Sequence, residues 1–411
     1  MPGVVVVGSG QAGVQTAVSL RDMGYDRPVT LIGDEPGLPY QRPPLSKAYL
    51  LGKLEETGLH LRAESFFHKQ NIALEDGRRA TRIERDRRRV HLDDGRALDY
   101  EHLVLATGTR NRTLRVAGSD LADVMSLRSL DDARRLRAAM AGKRHAVVIG
   151  AGFIGMEFAA VAASVGNAVT VIEAGSRVMG RSSSPEITEW FQDRHESRGV
   201  TFHFGANVVG IEGKDGRAAG VVTADGQHFP ADLVLVGIGV VPNAELAEKA
   251  GLAIHNGISV DAHLSTSDPH ISAIGDCASG PSVHAPGVLR LESVQNAVDQ
   301  AKTVAARLTG NPAPYVGVPW FWSDQGPDKL QIAGLVNDCS QRLVVGSTAA
   351  GRFSVLSFRD GRFVGAESVN RPTDHMAARR LLQAGIPLDI GQAARADFDL
   401  AAFVSAHRAA A

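Results

Sequence analysis

Val4-Val5-Val6-Val7-Gly8-Ser9-Gly10-Gln11-Ala12-Gly13 decides the fold. Four consecutive β-branched residues without a polar partner face suit a parallel strand covered on both sides. The glycines then fall at the spacing of a dinucleotide turn. Gly8 permits a tight bend, Gly10 lets a pyrophosphate approach the backbone, and Gly13 lets helix and strand pack closely. Gln11 and Ala12 open the helix, where free N–H groups and the positive end of the dipole attract phosphate. Helical spacing continues through Val14, Ala17, Val18 and Leu20, and Val29 to Ile32 forms the next strand. Asp34 or Glu35, just beyond it, is placed to bind a ribose hydroxyl.

The unit recurs. Ala146 to Ile149 reads as a strand, Gly150, Gly152 and Gly155 repeat the turn, Phe153 and Ile154 open a helix running to Val165, and Val169 to Ile172 is a strand. Glu173 closes that strand and is followed by Ala174 rather than arginine. A carboxylate there accepts from a 2′-hydroxyl and repels a 2′-phosphate, which predicts NADH over NADPH. Arg177 and Arg181 lie a little downstream and weigh the other way. A glycine motif standing alone is weak; two, each with its strand, helix and acid, point to two nucleotide folds in one chain.

Three more apolar runs end at ligand-facing turns. They are Leu103 to Thr107-Gly108, Leu233 to Gly237-Ile238-Gly239, and Ile271 to Gly275-Asp276. From about residue 317 the texture changes to short alternating runs, at Leu330 to Ala333, Leu343 to Val345 and Phe353 to Phe358. A hairpin turn is expected around Asp360-Gly361, with helices at 373–384 and 398–408. The fold class is α/β, with two doubly wound, Rossmann-like dinucleotide-binding domains and a C-terminal α+β domain. The basic stretch Arg85 to Arg89 reads as a solvated turn.

Composition narrows the function. The 411 residues are 44% hydrophobic and 22% charged, as in globular proteins with more than one core. A formal net charge of −1 argues against nucleic-acid or anionic-membrane binding. Two cysteines, Cys277 and Cys339, provide neither a disulfide framework nor a cysteine-only metal site, and no metal is expected. No run reaches membrane-spanning length, and Met1 leads directly into Val4 to Val7 without a basic n-region, so a cytoplasmic location is expected.

Tyr40-Gln41-Arg42-Pro43-Pro44-Leu45-Ser46-Lys47 is distinctive. So, with it, are Ala106-Thr107-Gly108, Ile274-Gly275-Asp276, Arg290-Leu291-Glu292-Ser293-Val294 and Pro319-Trp320-Phe321-Trp322-Ser323-Asp324-Gln325. Together these segments resemble the FAD-dependent ferredoxin reductases that serve bacterial haem monooxygenases and ring-hydroxylating dioxygenases. The resemblance spans the chain. It implies a glutathione-reductase-like architecture, with FAD bound by 1–108 and 240–316, NADH by 109–239, and residues 317–411 covering the flavin. It further implies that Gly8, Gly10 and Gly13 hold the FAD pyrophosphate and that Ala80 touches adenine. Asp276 would bind the ribityl or phosphate region, and Val294 and Trp320 would line the ring. Arg42 and Lys47 would approach the phosphates and the ring, where a cation favours negative charge. Glu157, one turn into the second helix, would lie near the nicotinamide, and Lys47 and Glu157 are the residues expected to serve catalysis. Thr107, Gly108 and Arg112, and Gly237, Gly239 and Arg181, complete the two sets of cofactor contacts. One departure stands out: Gly326-Pro327 follows Gln325 where relatives usually carry a tyrosine.

Disulfide reductases of this general fold carry a cysteine pair soon after the first ribose acid, and this chain has no cysteine before 277. A flavin without a second redox group can still divide a hydride into single electrons, which suits an iron–sulfur ferredoxin. Ferredoxins are commonly acidic, so docking needs local bases; Lys53, Arg62, Arg290, Arg307 and Arg342 are candidates. The alternatives are an NADH oxidase and a redox-sensing flavoprotein without a dedicated ferredoxin.

Overall fold

The computed structural model describes residues 2–142, 144–337 and 339–409, with the side chains of 408 and 409 left aside. The chain divides into two compact units. One comprises 1–41, 56–110 and 241–319, and the other 42–55, 111–240 and 320–411.

In the first unit, the Gly3–Val7 strand is buried throughout, as its run of valines requires. It pairs in parallel with Val29–Gly33 on one side and Ala97–Leu105 on the other, in register Val7↔Ile32 and Val7↔Leu105. Ile72–Asp76 and Ile271–Ala273 extend the sheet outward, also in parallel. The chain order across these strands therefore reverses beside Gly3–Val7, which puts a ligand crevice at the carboxyl end of that strand. Arg89–Leu92 and Ala80–Glu84 add antiparallel strands at one edge. Between them Arg85 does not stay wholly in solvent: it pairs with Asp268 at 2.7 Å.

The second unit repeats the plan. Val200–Phe204, Ala168–Glu173, His145–Ile149, Leu233–Val236 and Val124–Met125 form a parallel sheet in that order. A three-stranded antiparallel sheet, Val208–Lys214, Arg217–Thr223 and His228–Pro230, adjoins it in sequence. The C-terminal part is a five-stranded antiparallel sheet ordered Trp320–Gln325, Asp328–Gly334, Arg362–Val369, Arg352–Arg359 and Gln341–Ser347. Leu356, Phe358, Ala366 and Leu381 are buried where helix Pro372–Ala384 packs on it.

Two turns of this sheet repay attention. Asp360 and Gly361 both take positive φ, 50° and 74°, the backbone that a two-residue hairpin turn demands. Gly326-Pro327 also forms a two-residue turn, since Gln325 pairs directly with Asp328. Gly326 supplies a φ of 67° that a side chain would resist, and proline's fixed φ suits the second position. The departure noted in the sequence is thus absorbed as a tight hairpin.

Candidate functional site

Both glycine turns are built alike, atom for atom. Gly8 N donates to Ile32 O and Gly150 N to Ile172 O, each at 2.8 Å. Ala106 N donates to Val7 O and Gly237 N to Ile149 O, again at 2.8 Å. Gly8 and Gly150 have φ of 113° and 100°. A Cβ on Gly8 would meet Ala106 O at 2.1 Å, and one on Gly150 would meet Gly237 O at 2.5 Å. The third glycine fits against the first: a Cβ on Gly13 would stand 1.8 Å from Gly8 O, and one on Gly155 2.2 Å from Gly150 O. The middle glycines behave differently. A Cβ on Gly10 or Gly152 would meet nothing within 4 Å.

Helices Gln11–Asp22 and Phe153–Ser164 start at Gly10 and Gly152 with no side-chain cap and no acidic residue in the first turn. Their first N–H groups, at Gln11, Ala12 and Gly13 and at Phe153, Ile154 and Gly155, have no partner within the helix, and the dipole there is positive. Open space above an uncapped helix N-terminus, twice, fits two diphosphates.

Other residues gather at the same strand ends. In the first unit, Asn243 ties down one turn: its amide nitrogen donates to Thr107 O at 2.9 Å, its amide oxygen accepts from Arg110 at 2.9 Å, Thr107 Oγ1 donates to Asn243 O at 2.6 Å, and Asn243 N donates to Gly108 O at 2.9 Å. Asp276 lies within a short 3₁₀ turn, Gly275–Cys277, and accepts from Thr109 Oγ1 at 3.4 Å. The turn is held by Gln300, whose side-chain oxygen accepts from Gly275 N at 2.7 Å. Val294 opens helix Val294–Leu308, capped by Ser293. Ala80 begins an edge strand. Beyond Val29–Gly33, Glu35 accepts from the Tyr40 hydroxyl, and the more exposed Asp34 lies 3.4 Å from Arg79.

In the second unit, Glu173 turns back to the glycine loop, accepting from Ala151 N and Gly175 N at 2.7 Å each. Arg112 N donates to Gly239 O at 2.9 Å, and the Arg181 guanidinium lies beside Gly239. Arg177 is committed internally, donating to Gly180 O and Ser183 O. Arg42 donates to Arg128 O at 2.7 Å. Trp320 and Trp322 share a strand face with ring centroids 5.7 Å apart, and Arg379 lies 4.3 Å over Trp320.

Lys47 and Glu157 form an ion pair inside this unit. Glu157 is 2% exposed, so it is no solvated helix residue. Its Oε2 accepts from Lys47 Nζ at 2.7 Å and from Ser46 Oγ at 2.5 Å, while Oε1 accepts from Ser323 Oγ at 2.7 Å. Pro43-Pro44 start the 3₁₀ turn that delivers Ser46 and Lys47. Phe153 and Glu157 sit four apart on one helix face; Phe321 and Ser323 sit two apart on one strand face. Phe153 packs on Phe321 at 4.6 Å, which sets the register for Glu157 and Ser323. Ser46, Ser323, Gln325, Asn243 and Gln300 were not singled out from the sequence. Ser323 and Gln325 could have been found by alternation along Trp320–Gln325; nothing local marks the others.

Two expected docking bases face inward. Arg290 is 11% exposed, pairs with Glu292 at 2.7 Å and donates to Asp276 O. Arg307 donates to Ser272 Oγ, and burial lowers its pKa. Long side chains on helix and turn positions next to a core bury their stems and find local acceptors. Lys53, Arg62 and Arg342 are exposed.

Residues 2–301 match the family described as pyridine nucleotide-disulphide oxidoreductase. The chain belongs to that family. Residues 320–404 match the reductase C-terminal domain. The chain is 50% identical over 405 residues to rhodocoxin reductase of Rhodococcus erythropolis, covering 98% of this chain and 95% of that one. It superposes with a TM-score of 0.96 and 50% identity on the crystal structure of the ferredoxin reductase for the CYP199A2 system of Rhodopseudomonas palustris, covering 100% of both chains. The covalent putidaredoxin reductase–putidaredoxin complex gives a TM-score of 0.96 at 39% identity, with 99% of both chains covered. Family membership makes the chain a flavoprotein oxidoreductase that uses FAD and a nicotinamide coenzyme. Among the described residues no helix is long and apolar enough to cross a membrane.

Proposed function

We propose that the protein takes hydride from NADH onto FAD and delivers single electrons to an iron–sulfur ferredoxin feeding a haem monooxygenase or ring-hydroxylating dioxygenase. One observation carries the reading. Two glycine turns of dinucleotide form stand in a chain where a half-buried Lys47 pairs with a buried Glu157 on the helix that follows the second turn, with no cysteine before 277. FAD, when bound, supplies a ring that accepts two electrons together and releases them singly.

The chain's own residues supply position and charge. Gly8, Gly10, Gln11, Ala12 and Gly13 hold the FAD diphosphate, Asp34 or Glu35 its ribose and Ala80 its adenine. Thr107, Gly108, Arg112, Asp276, Val294, Arg42 and Trp320 hold the rest, so that 1–108 with 240–316 is the FAD-binding part. Gly150, Gly152, Phe153, Ile154 and Gly155 hold the NADH diphosphate within 109–239, with Glu173 at the ribose and Arg181, Gly237 and Gly239 around it. Lys47 keeps a fixed cation beside Glu157, and the pair orients the nicotinamide. Residues 317–411 cover the flavin. Lys53, Arg62 and Arg342 contribute the exposed bases that attract an acidic ferredoxin. A cytoplasmic location suits a reaction that draws on NADH.

Anaerobic NADH titration tests the reading. Yellow protein should bleach with NADH and far less readily with NADPH. Cytochrome c should then be reduced only when a ferredoxin from a matching panel is present. Rapid NADH consumption in air without any carrier would replace the reading with an oxidase.

A further inference from the structure

The hydrogen bonds that end on Glu157 do not stop at Ser323. Gln325 Nε2 donates to Ser323 Oγ at 3.3 Å, and His195 Nε2 lies 2.9 Å from Gln325 Oε1. Ser323, Gln325 and His195 are each 0% exposed. The three come from two elements, strand Trp320–Gln325 and helix Pro185–Glu196, and run in line to a carboxylate on a third, Phe153–Ser164.

The polarity of this chain is fixed by what surrounds it. His195 Nδ1 is buried with no partner. Placing the ring's hydrogen there would orphan a donor, whereas leaving Nδ1 bare costs less, so the hydrogen belongs on Nε2 and points at Gln325. Burial also lowers the His195 pKa to about 4, keeping the ring neutral with one hydrogen to place. Gln325 must then present its oxygen to His195 and its nitrogen to Ser323. Met179 Sδ, 3.2 Å from Gln325 Nε2, is a weak acceptor and agrees with nitrogen at that position. Ser323 Oγ, already an acceptor, can send its only hydrogen to Glu157.

We infer that Ser323, Gln325 and His195 are positioning residues: a one-way chain of donors that holds Glu157 as an acceptor-only carboxylate and so keeps its charge paired with Lys47. The inference rests on the reading of Lys47 and Glu157 given above and extends it to the residues hydrogen-bonded in series behind Glu157. Lys47 is the charge in contact with Glu157. Helix Phe153–Ser164 carries no other ionisable side chain. On strand Trp320–Gln325, Asp324 pairs with Lys329 at 3.4 Å. Beyond His195 stand Arg198 and Asp328, paired with each other.

The test uses FAD-loaded protein and four variants: Ser323→Ala, Ser323→Thr, Gln325→Met and Glu157→Gln. Flavin content and near-ultraviolet circular dichroism establish that each is folded. Two quantities are read against pH: the rate of anaerobic flavin reduction by NADH, and the infrared C=O band of a protonated carboxyl, assigned to Glu157 by its loss in Glu157→Gln. In Ser323→Ala, the acid limb of the rate profile and the appearance of that band should both move to higher pH by about one pH unit, the worth of a donor to a charged acceptor, and in Gln325→Met, which only frees the serine hydroxyl to turn away, both should move the same way by less. Ser323→Thr keeps the hydroxyl and should hold the original profile. If Glu157→Gln slows reduction while Ser323→Ala and Gln325→Met leave both profiles unmoved, the donor chain is only packing and the inference falls, with the role of Glu157 intact. If Glu157→Gln reduces at the unaltered rate, the role of Glu157 falls and the inference with it.

Discussion

Glu173 holds a loop as well as an expected ribose. Its two oxygens accept from Ala151 N and Gly175 N, so it braces the glycine turn against the loop that follows the next strand. Removing a charged acceptor from two amides costs about 1.5–3 kcal/mol. Glu173→Ala should therefore raise the KM for NADH about tenfold or more and narrow the preference over NADPH, while flavin content stays full. Steady-state kinetics with both coenzymes checks this; an unchanged NADH/NADPH ratio would leave Glu173 a brace and nothing else. The two cysteines make a second contrast. Cys277 is fully buried and burial raises its pKa, whereas Cys339 is only half-buried. A thiol needs exposure and thiolate character to react, so iodoacetamide should label Cys339 in folded protein and spare Cys277, as peptide mass mapping would record.

At the scale of elements, helix Pro185–Glu196 is fastened to the C-terminal sheet by two acids of opposite character. Asp328, 7% exposed, accepts from Arg198 and lies 3.4 Å from Arg194. Asp328→Ala leaves those cations and Asn370 short of an acceptor and should cost about 2 kcal/mol, read as a lower denaturant midpoint by tryptophan fluorescence. Glu367 has no cation of this kind. Both its oxygens accept from Ser184 N, at 3.1 and 3.2 Å, and burial raises its pKa from the ordinary 4.5 to about 7. Its folded form holds a proton that the unfolded chain has already released, so unfolding becomes easier as pH climbs from 4.5 to 7, by up to about 3 kcal/mol, and is level above that. Glu367→Gln should flatten this decline; melting followed from pH 5 to pH 8 checks it, and an equally steep decline in the variant assigns the effect elsewhere. Neither fastening could be read beforehand. Val4–Gly13 and its recurrence at Ala146–Gly155 announced strand, turn and helix because local periodicity and glycine spacing are local properties. The short strands Val208–Lys214 and Arg217–Thr223, and the meeting of Ser184 with Glu367, depend on partners far away in sequence, for which a single chain carries no periodic mark. Trp320–Gln325 lies between these cases. Its alternation separates the tryptophans from Ser323 and Gln325, but only the packing of Phe321 on Phe153 shows that the serine meets Glu157.

For the molecule as a whole, the consequence of duplication is that the two nucleotide sites should fail separately. Gly13 and Gly155 occupy the same place in different compact units, each too close to the first glycine's carbonyl oxygen to admit a methyl group. A contact of 1.8 Å or 2.2 Å with backbone cannot be relieved by turning a side chain, so the helix must move away from its turn. The amides that face a diphosphate then diverge, and the ligand of that unit loses its hold while the other sheet keeps its own core. Gly13→Ala should yield protein poor in FAD, colourless or nearly so, that still binds NADH by calorimetry. Because a bound ligand stabilises the state that binds it, this variant should also melt earlier and regain part of the loss when FAD is added in excess. Gly155→Ala should remain yellow with full flavin and bleach with NADH only at much higher coenzyme concentration, its KM raised tenfold or more, about 1.4 kcal/mol of binding. Loss of FAD from Gly155→Ala, or loss of NADH binding alone from Gly13→Ala, would reverse the assignment of ligands to turns. Loss of both from either variant would mean that the two folds do not bind independently.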